Sequence, residues 1–237
     1  ARGMDAIALR QAPGERGMHG GMVFCRMFQD FRLRGFPMGL FDKFLGDGRG
    51  LRSPSRLRHN GKRLSQILQE HEKYHRGEPG GVQANLEGAE LSHADLRWAN
   101  LHDAILIGAK LDGANLKRAR LSRANFERAS LRGADLRNTD MTEARLPAAD
   151  LRGAQASGIE FFRCDLSGAN LEGANLRNVN FRLANLRGAK LAGADMGVTI
   201  LRETDLDGVD LGGVDLSTAL MPKGYPAGPQ KQAAAGK

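Results

Sequence analysis

One periodicity constrains this chain more than anything else in it. From residue 84 to residue 218 a five-residue pattern recurs without slipping, 27 times over 135 residues. The third residue of each unit is Leu, Phe or Met, except at Ala156. The first is Ala, Thr, Val, Cys or Ile; the second is usually Asp or Asn; the last is often Gly. Neither regular element can bury such a pattern on one face. In an α-helix a step of five residues rotates the side chain by about 140° net, which scatters the leucines around the axis. In a flat strand, an odd spacing sends successive leucines to opposite sides. A chain that bends after every five residues returns each Leu to the same interior, and short internal repeats of this kind predict a solenoid. Gly at the last position suits a tight turn with unusual dihedrals. Asp or Asn suits a place where a short polar side chain bonds nearby backbone.

Units such as Ala84-Asn85-Leu86-Glu87-Gly88, Ala94-Asp95-Leu96-Arg97-Trp98 and Val214-Asp215-Leu216-Ser217-Thr218 match A-(D/N)-L-X-X. This pattern resembles the pentapeptide-repeat family over more than half the chain. The periodicity by itself leaves three or four sides open. The resemblance implies an all-β solenoid, a right-handed quadrilateral β-helix with four pentapeptides per coil and nearly seven coils. At about 4.8 Å per coil such a rod is roughly 30 Å long. The resemblance also points the first and third residues inward and leaves the others outside, and units twenty residues apart stack on one side.

The formal net charge is +8, and it sits in the flanks. Residues 1–83 hold 15 Lys and Arg against 8 Asp and Glu, and residues 84–218 hold 17 against 19. The tail, 219–237, adds three Lys and no acid. The two cysteines, Cys25 and Cys164, offer no disulfide framework and suit a reducing compartment. Cys164 occupies an inward first position and reads as a buried structural thiol. No run of eighteen apolar residues marks a membrane-spanning helix. The reading is a cytoplasmic protein, with the cytoplasmic membrane surface as a candidate location.

Ahead of the repeat, residues 1–21 read as disordered or as a leader before the natural start, because Met38-Gly39-Leu40-Phe41-Asp42-Lys43-Phe44-Leu45 looks like a bacterial N-terminus. Residues 22–45 are rich in Phe and Met. Phe24, Phe28 and Phe31 fall at helical spacing, Phe36 follows, and Phe41 and Phe44 resume the spacing after the Gly35/Pro37 break. These phenylalanines read as an anchor to a membrane surface or a partner groove, or else as packing on the rod's own flank. Residues 46–62 read as a flexible basic linker. Residues 63–76 predict a helix with a stripe of Leu64, Ile67, Leu68 and His71, stopped by Gly77 and Pro79, and placed to cap the open end of the solenoid. That helix also contains His71-Glu72-Lys73-Tyr74-His75, a match to H-E-x-x-H. No third ligand follows at a recognisable spacing, so the match reads as accidental and no metal or cofactor is expected. Residues 219–237 read as a flexible tail.

Function has to lie in the outward positions. Arg97, Lys117, Arg137 and Arg177 stack in one basic column, with Arg118 beside it. On the next side Phe162, Leu183 and Ile200 are apolar at outward positions, among Arg163, Arg182 and Arg202, with Val198 just before the corner. An apolar patch rimmed by Arg is a protein-docking signature; the plainer alternative is packing under the N-terminal segment or in turn corners. Glu203, Asp205, Asp207, Asp210 and Asp215 make the last coil acidic. No nucleophile–base pair or phosphate loop is present, so no enzyme is expected. The sequence favours a non-catalytic interaction or scaffold protein, docking onto a larger protein or a membrane-associated complex. The alternatives are a DNA mimic acting on gyrase, as some members of the resembled family do, and nucleic-acid binding through the basic flanks. A near-neutral rod with basic columns disfavours mimicry.

Overall fold

The computed structural model describes residues 50–224. It opens with a hairpin, β1 (Arg58–His59) paired antiparallel to β2 (Lys62–Arg63). The connection is Asn60-Gly61, with φ of 47° and 78°. Positive φ at both central residues is the mark of the primed turn whose twist suits a two-residue hairpin, and Asn-Gly is its favoured sequence. The stretch expected as a flexible linker is therefore ordered over its described part. Leu57 is buried, and Arg52 bridges to Ala94 in the first coil. The basic composition hid the Asn-Gly turn and one buried Leu.

Helix α1 follows directly (Leu64–His75). Its buried residues are Leu64, Ile67, Leu68 and His71, the stripe read from the sequence. It ends in a Schellman arrangement: the Glu78 N–H donates to the Lys73 carbonyl and the Gly77 N–H to that of Tyr74, with Gly77 at φ 65°. Val82 N–H donates back to the Glu70 carbonyl and turns the chain toward the repeat.

The repeat then winds as a ladder of single parallel bridges, each joining a second-position residue to the one twenty residues later, from Asn85↔Ile105 to Ile200↔Leu220. A twenty-residue step is four pentapeptides, so the coil has four sides. Each rung takes two backbone bonds. Leu86 N–H donates to the Ile105 carbonyl at 2.7 Å, and Ile105 N–H donates to that of Ala84 at 2.9 Å. Each corner is a tight turn, as where Ala89 N–H donates to the Leu86 carbonyl. The fifth residue has positive φ in every unit from Gly88 to Gly213, and in 14 of those units it is not Gly. The second residue braces the corner from outside: an Asp or Asn Oδ1 accepts the N–H two residues on, as Asn125 does from Glu127 and Asp140 from Thr142.

The interior is a column of first and third residues. Phe126, Phe161, Phe181 and the third-position leucines from Leu86 to Leu191 are almost entirely buried. Each such burial contributes roughly 1.5–3 kcal/mol, so the column is the main source of stability. Phe161 and Phe181 stack one coil apart, with centroids 5.3 Å apart. Ala156 is fully buried and is followed by Ile159, a large residue where Ala is usual, and by Phe161. Larger neighbours thus accompany the missing Leu. Cys164 is buried, its Sγ 2.7 Å from the Met141 carbonyl, and burial pushes the thiol pKa up.

The repeat also runs past Thr218. Leu220 N–H donates to the Thr199 carbonyl, and Leu201 N–H to that of Leu220. Ala219-Leu220-Met221-Pro222-Lys223 thus takes the register of one more unit. The tail expectation fails there because Leu220 stands where Asp or Asn was the cue.

Candidate interaction surfaces

The side of the rod built by units 159–163, 179–183 and 199–203 carries the apolar outward residues. Phe162 is half-buried, with the Arg163 guanidinium 5.1 Å above its ring. Leu183 is exposed at the corner leaving this side, in the left-handed conformation at φ 60°. Val198 stands at the corner entering it, 54 % exposed at φ 61°. Ile200 is half-buried, bridged to Leu220, which is 47 % exposed. The ladder thus stacks Ile200 with Leu220, two residues on from Val198, while Phe162 stands in the column of Arg182 and Arg202 and Leu183 in that of Arg163. Arg163 and Arg182 are paired, with Glu143 at 3.5 Å and Glu203 at 3.2 Å. Arg202 is exposed and forms no ion pair among the described residues.

The basic column is held differently. Arg97 and Arg137 each fold back on the Asp two residues earlier, with Nη2 2.6 Å from Asp95 and from Asp135. Both pairs are bidentate, through Nε as well. Arg177 reaches Asp195 at 3.3 Å, and Arg118 lies 4.8 Å over the Trp98 ring. Lys117 is half-buried in the same stack. The D-x-R spacing therefore neutralises much of this column locally. The Arg137 guanidinium helps hold the Asp135 carboxyl below its usual range against the opposing effect of burial. The acidic residues of the last coil are partly met in the same way, by Arg187 with Asp205 and Asp207. The anchor residues Phe24, Phe28, Phe31, Phe41 and Phe44 lie outside the described residues.

Where α1 meets the coils, three histidines gather. His71 is fully buried, and its Nδ1 accepts the Ala84 N–H at 3.0 Å. Burial and the neighbouring His75 lower its pKa to about 4. His75 Nε2 lies 2.7 Å from the His102 carbonyl and 3.3 Å from His71 Nε2. His102 Nδ1 lies 2.6 Å from Ser122 Oγ, and its Nε2 is 3.1 Å from Asp103 Oδ2. A cleft of about 350 Å³ opens beside them, lined by His75, Asn100, His102, Arg120, Ser122 and Asp140.

A family model for pentapeptide repeats matches residues 82–118, 119–155, 164–197 and 180–217, in eight copies. The chain belongs to the pentapeptide repeat family. Proteins of the pentapeptide repeat family fold as right-handed quadrilateral β-helices and are generally structural or interaction proteins rather than enzymes. A comparison with curated proteins finds no match. Among solved structures, the chain is similar to HetL, a pentapeptide repeat protein involved in heterocyst differentiation regulation from the cyanobacterium Nostoc sp. strain PCC 7120. The two are 32 % identical over 61 % of this chain and 75 % of that one, with a TM-score of 0.34. Trypsin-treated QnrB1, a plasmid-mediated fluoroquinolone resistance protein, is 22 % identical over 65 % and 92 %, with a TM-score of 0.33. A pentapeptide repeat protein from the Arabidopsis thaliana thylakoid lumen is 29 % identical over 48 % and 72 %, with a TM-score of 0.22.

Within this pentapeptide rod, two surface features escaped the sequence. Leu220 was assigned to a tail, so its place beside Ile200 was invisible. The grouping of His75 with His102 and Asp103 joins residues 27 and 28 positions apart, and no local spacing announces it. Counting twenty residues on from each outward position and continuing past 218 would have found the first.

Proposed function

We propose that this pentapeptide repeat protein is a non-catalytic docking rod of nearly seven coils, capped by α1 at its N-terminal end. Its partner-binding side carries Phe162, Leu183 and Ile200, extended by Val198 and Leu220 and rimmed by Arg163, Arg182 and Arg202. One observation supports this above the rest. At 26 successive corners the fifth residue adopts positive φ, where a bulky or β-branched side chain is strained. Leu183 and Val198 accept that strain while exposed, so neither is placed there by the rod's own packing. The partner is a protein presenting an apolar face with acidic margins. The reading also places attachment to a cytoplasmic membrane surface or larger complex in residues 22–45, on the helical spacing of Phe24, Phe28, Phe31, Phe41 and Phe44.

The test is co-purification from the native host with wild type and with a variant carrying Leu183→Asn, Val198→Gly, Ile200→Asn and Leu220→Asn. Each change moves toward a residue common at its repeat position, so the rod is retained. A partner held by wild type and lost from the variant supports docking through this side. A partner held equally by both overturns it. Deleting residues 22–45 separates attachment: unchanged sedimentation with membranes clears the phenylalanines.

A further inference from the structure

The junction between α1 and the corner at residues 102–103 gathers donors that partner docking does not use. We propose that His75, His102 and Asp103 bind one divalent transition-metal ion of the zinc class, which fastens α1 to the rod. Their donor atoms all lie within 4.8 Å of one another. Two imidazoles and a carboxylate form a donor set that suits zinc, cobalt or nickel over magnesium or calcium.

The surroundings orient each donor. Ser122, one coil beyond His102, sits 2.6 Å from His102 Nδ1. When Nδ1–H donates to that hydroxyl, Nε2 is left with a lone pair facing Asp103 Oδ2 at 3.1 Å. Two lone pairs at that distance require a proton or a cation between them. Asp103 Oδ1 is held by Arg123 Nε at 2.9 Å, also from the next coil, which leaves Oδ2 for the ion. Supports of this kind fix ring tautomer and carboxylate direction at metal sites. His75 Nε2 now donates to the His102 carbonyl. Turning it to a metal releases that oxygen beside the cleft that His102 helps to line.

The site is not the H-E-x-x-H pair. His71 Nδ1 accepts from Ala84 N–H, so the proton of the neutral ring sits on Nε2 and no lone pair is left for a metal. Glu72 is engaged by Arg76 and Asn100. The motif divides into a structural first half and a ligating His75, and the other two ligands come from the coil. Three protein ligands leave a fourth position for water or another donor, and two of the three, His75 and His102, line the cleft.

The test uses the full chain without a histidine tag, stripped with chelator. Co²⁺ is titrated by visible absorption, and Zn²⁺ by calorimetry. Saturation at one equivalent is expected. His75→Gln and Asp103→Asn should remove or greatly weaken it, and Ser122→Ala should weaken it roughly tenfold. Asn is among the residues that tolerate the left-handed corner at Asp103, so Asp103→Asn keeps the fold; equal melting of variant and wild type in chelator verifies this. Saturating Zn²⁺ should raise the melting temperature of wild type and not of His75→Gln. Absence of stoichiometric binding overturns the proposal, and so does binding that His75→Gln and Asp103→Asn leave unchanged, which would place the ion elsewhere.

Discussion

The two ends of the rod are built from the same repeat and have opposite fates. At the N-terminal end Leu86, Leu91, Leu96 and Leu101 are fully buried, although only one neighbouring coil covers them. The hairpin and α1 make contacts with the coils at this end. Arg52 bridges to Ala94, His71 takes the Ala84 N–H, and Glu72 accepts from Asn100. At the C-terminal end Leu206, Leu211 and Leu216 hold the same repeat position and are only half-buried. A pentapeptide specifies a direction for its Leu, not its burial. Burial comes from the next coil, or from whatever replaces it.

Truncation at matched positions tests that difference most strongly. Phe126→Ala, in mid-rod, should cost about 3–5 kcal/mol in urea unfolding, from lost transfer energy plus a cavity. Leu211→Ala, at the open end, should cost less than about 2 kcal/mol, since its side chain is already partly in water. Equal losses would show that the last coil is covered as well as the middle.

Between pH 6.5 and 4, acid should act chiefly on the N-terminal end; the carboxyls of Asp112, Asp135 and Asp150, held below their usual range, respond at lower pH. His71 is buried as a neutral ring with its pKa lowered to about 4 from an ordinary 6.5. Between those values the unfolded chain binds the proton and the folded chain does not, so stability rises with pH across the window. The contribution is complete above about pH 6.5 and is lost as pH falls toward 4, amounting to about 3 kcal/mol. Melting in chelator from pH 7.5 to 4 should show this slope in wild type and a flatter one in His71→Gln. An unchanged slope in the variant would remove His71 as its source.

Much of this architecture was legible because it is periodic. One register, with the inward first and third positions that the family resemblance implies, placed Phe126, Phe161, Phe181 and Cys164 inside and Arg97 and Arg137 outside, and the stripe from Leu64 to His71 pointed to the helix over 64–75. What the sequence hid was every feature that breaks the period or joins distant repeats. The Asn60-Gly61 hairpin lay in a segment whose arginines suggested a linker. Leu220 departed from the polar second position at the point where the repeat was taken to end. The pairing of Arg97 with Asp95 depends on a side chain folding back, so a stacked column of arginines looked more basic than it is. His75 and Asp103 meet only through the packing of a helix on a coil.

The smallest predicted effect bears on the surface rather than the ends. Gly153 and Val198 occupy the fifth position of their units, at different corners of the coil, at φ 64° and 61°. Gly153 has nothing near its missing side chain, so Gly153→Ala tests the backbone preference alone and should cost about 1 kcal/mol. Val198→Gly should stabilise the rod by up to about 1 kcal/mol, because relief of a β-branched residue at positive φ outweighs the entropy gained by the unfolded chain. Both are read by urea midpoints at constant slope. If Val198→Gly destabilises instead, Val198 is held by packing within the rod, and the case for its exposure serving a partner weakens. If it stabilises the rod and weakens the partner complex, the strain at that corner is retained for binding.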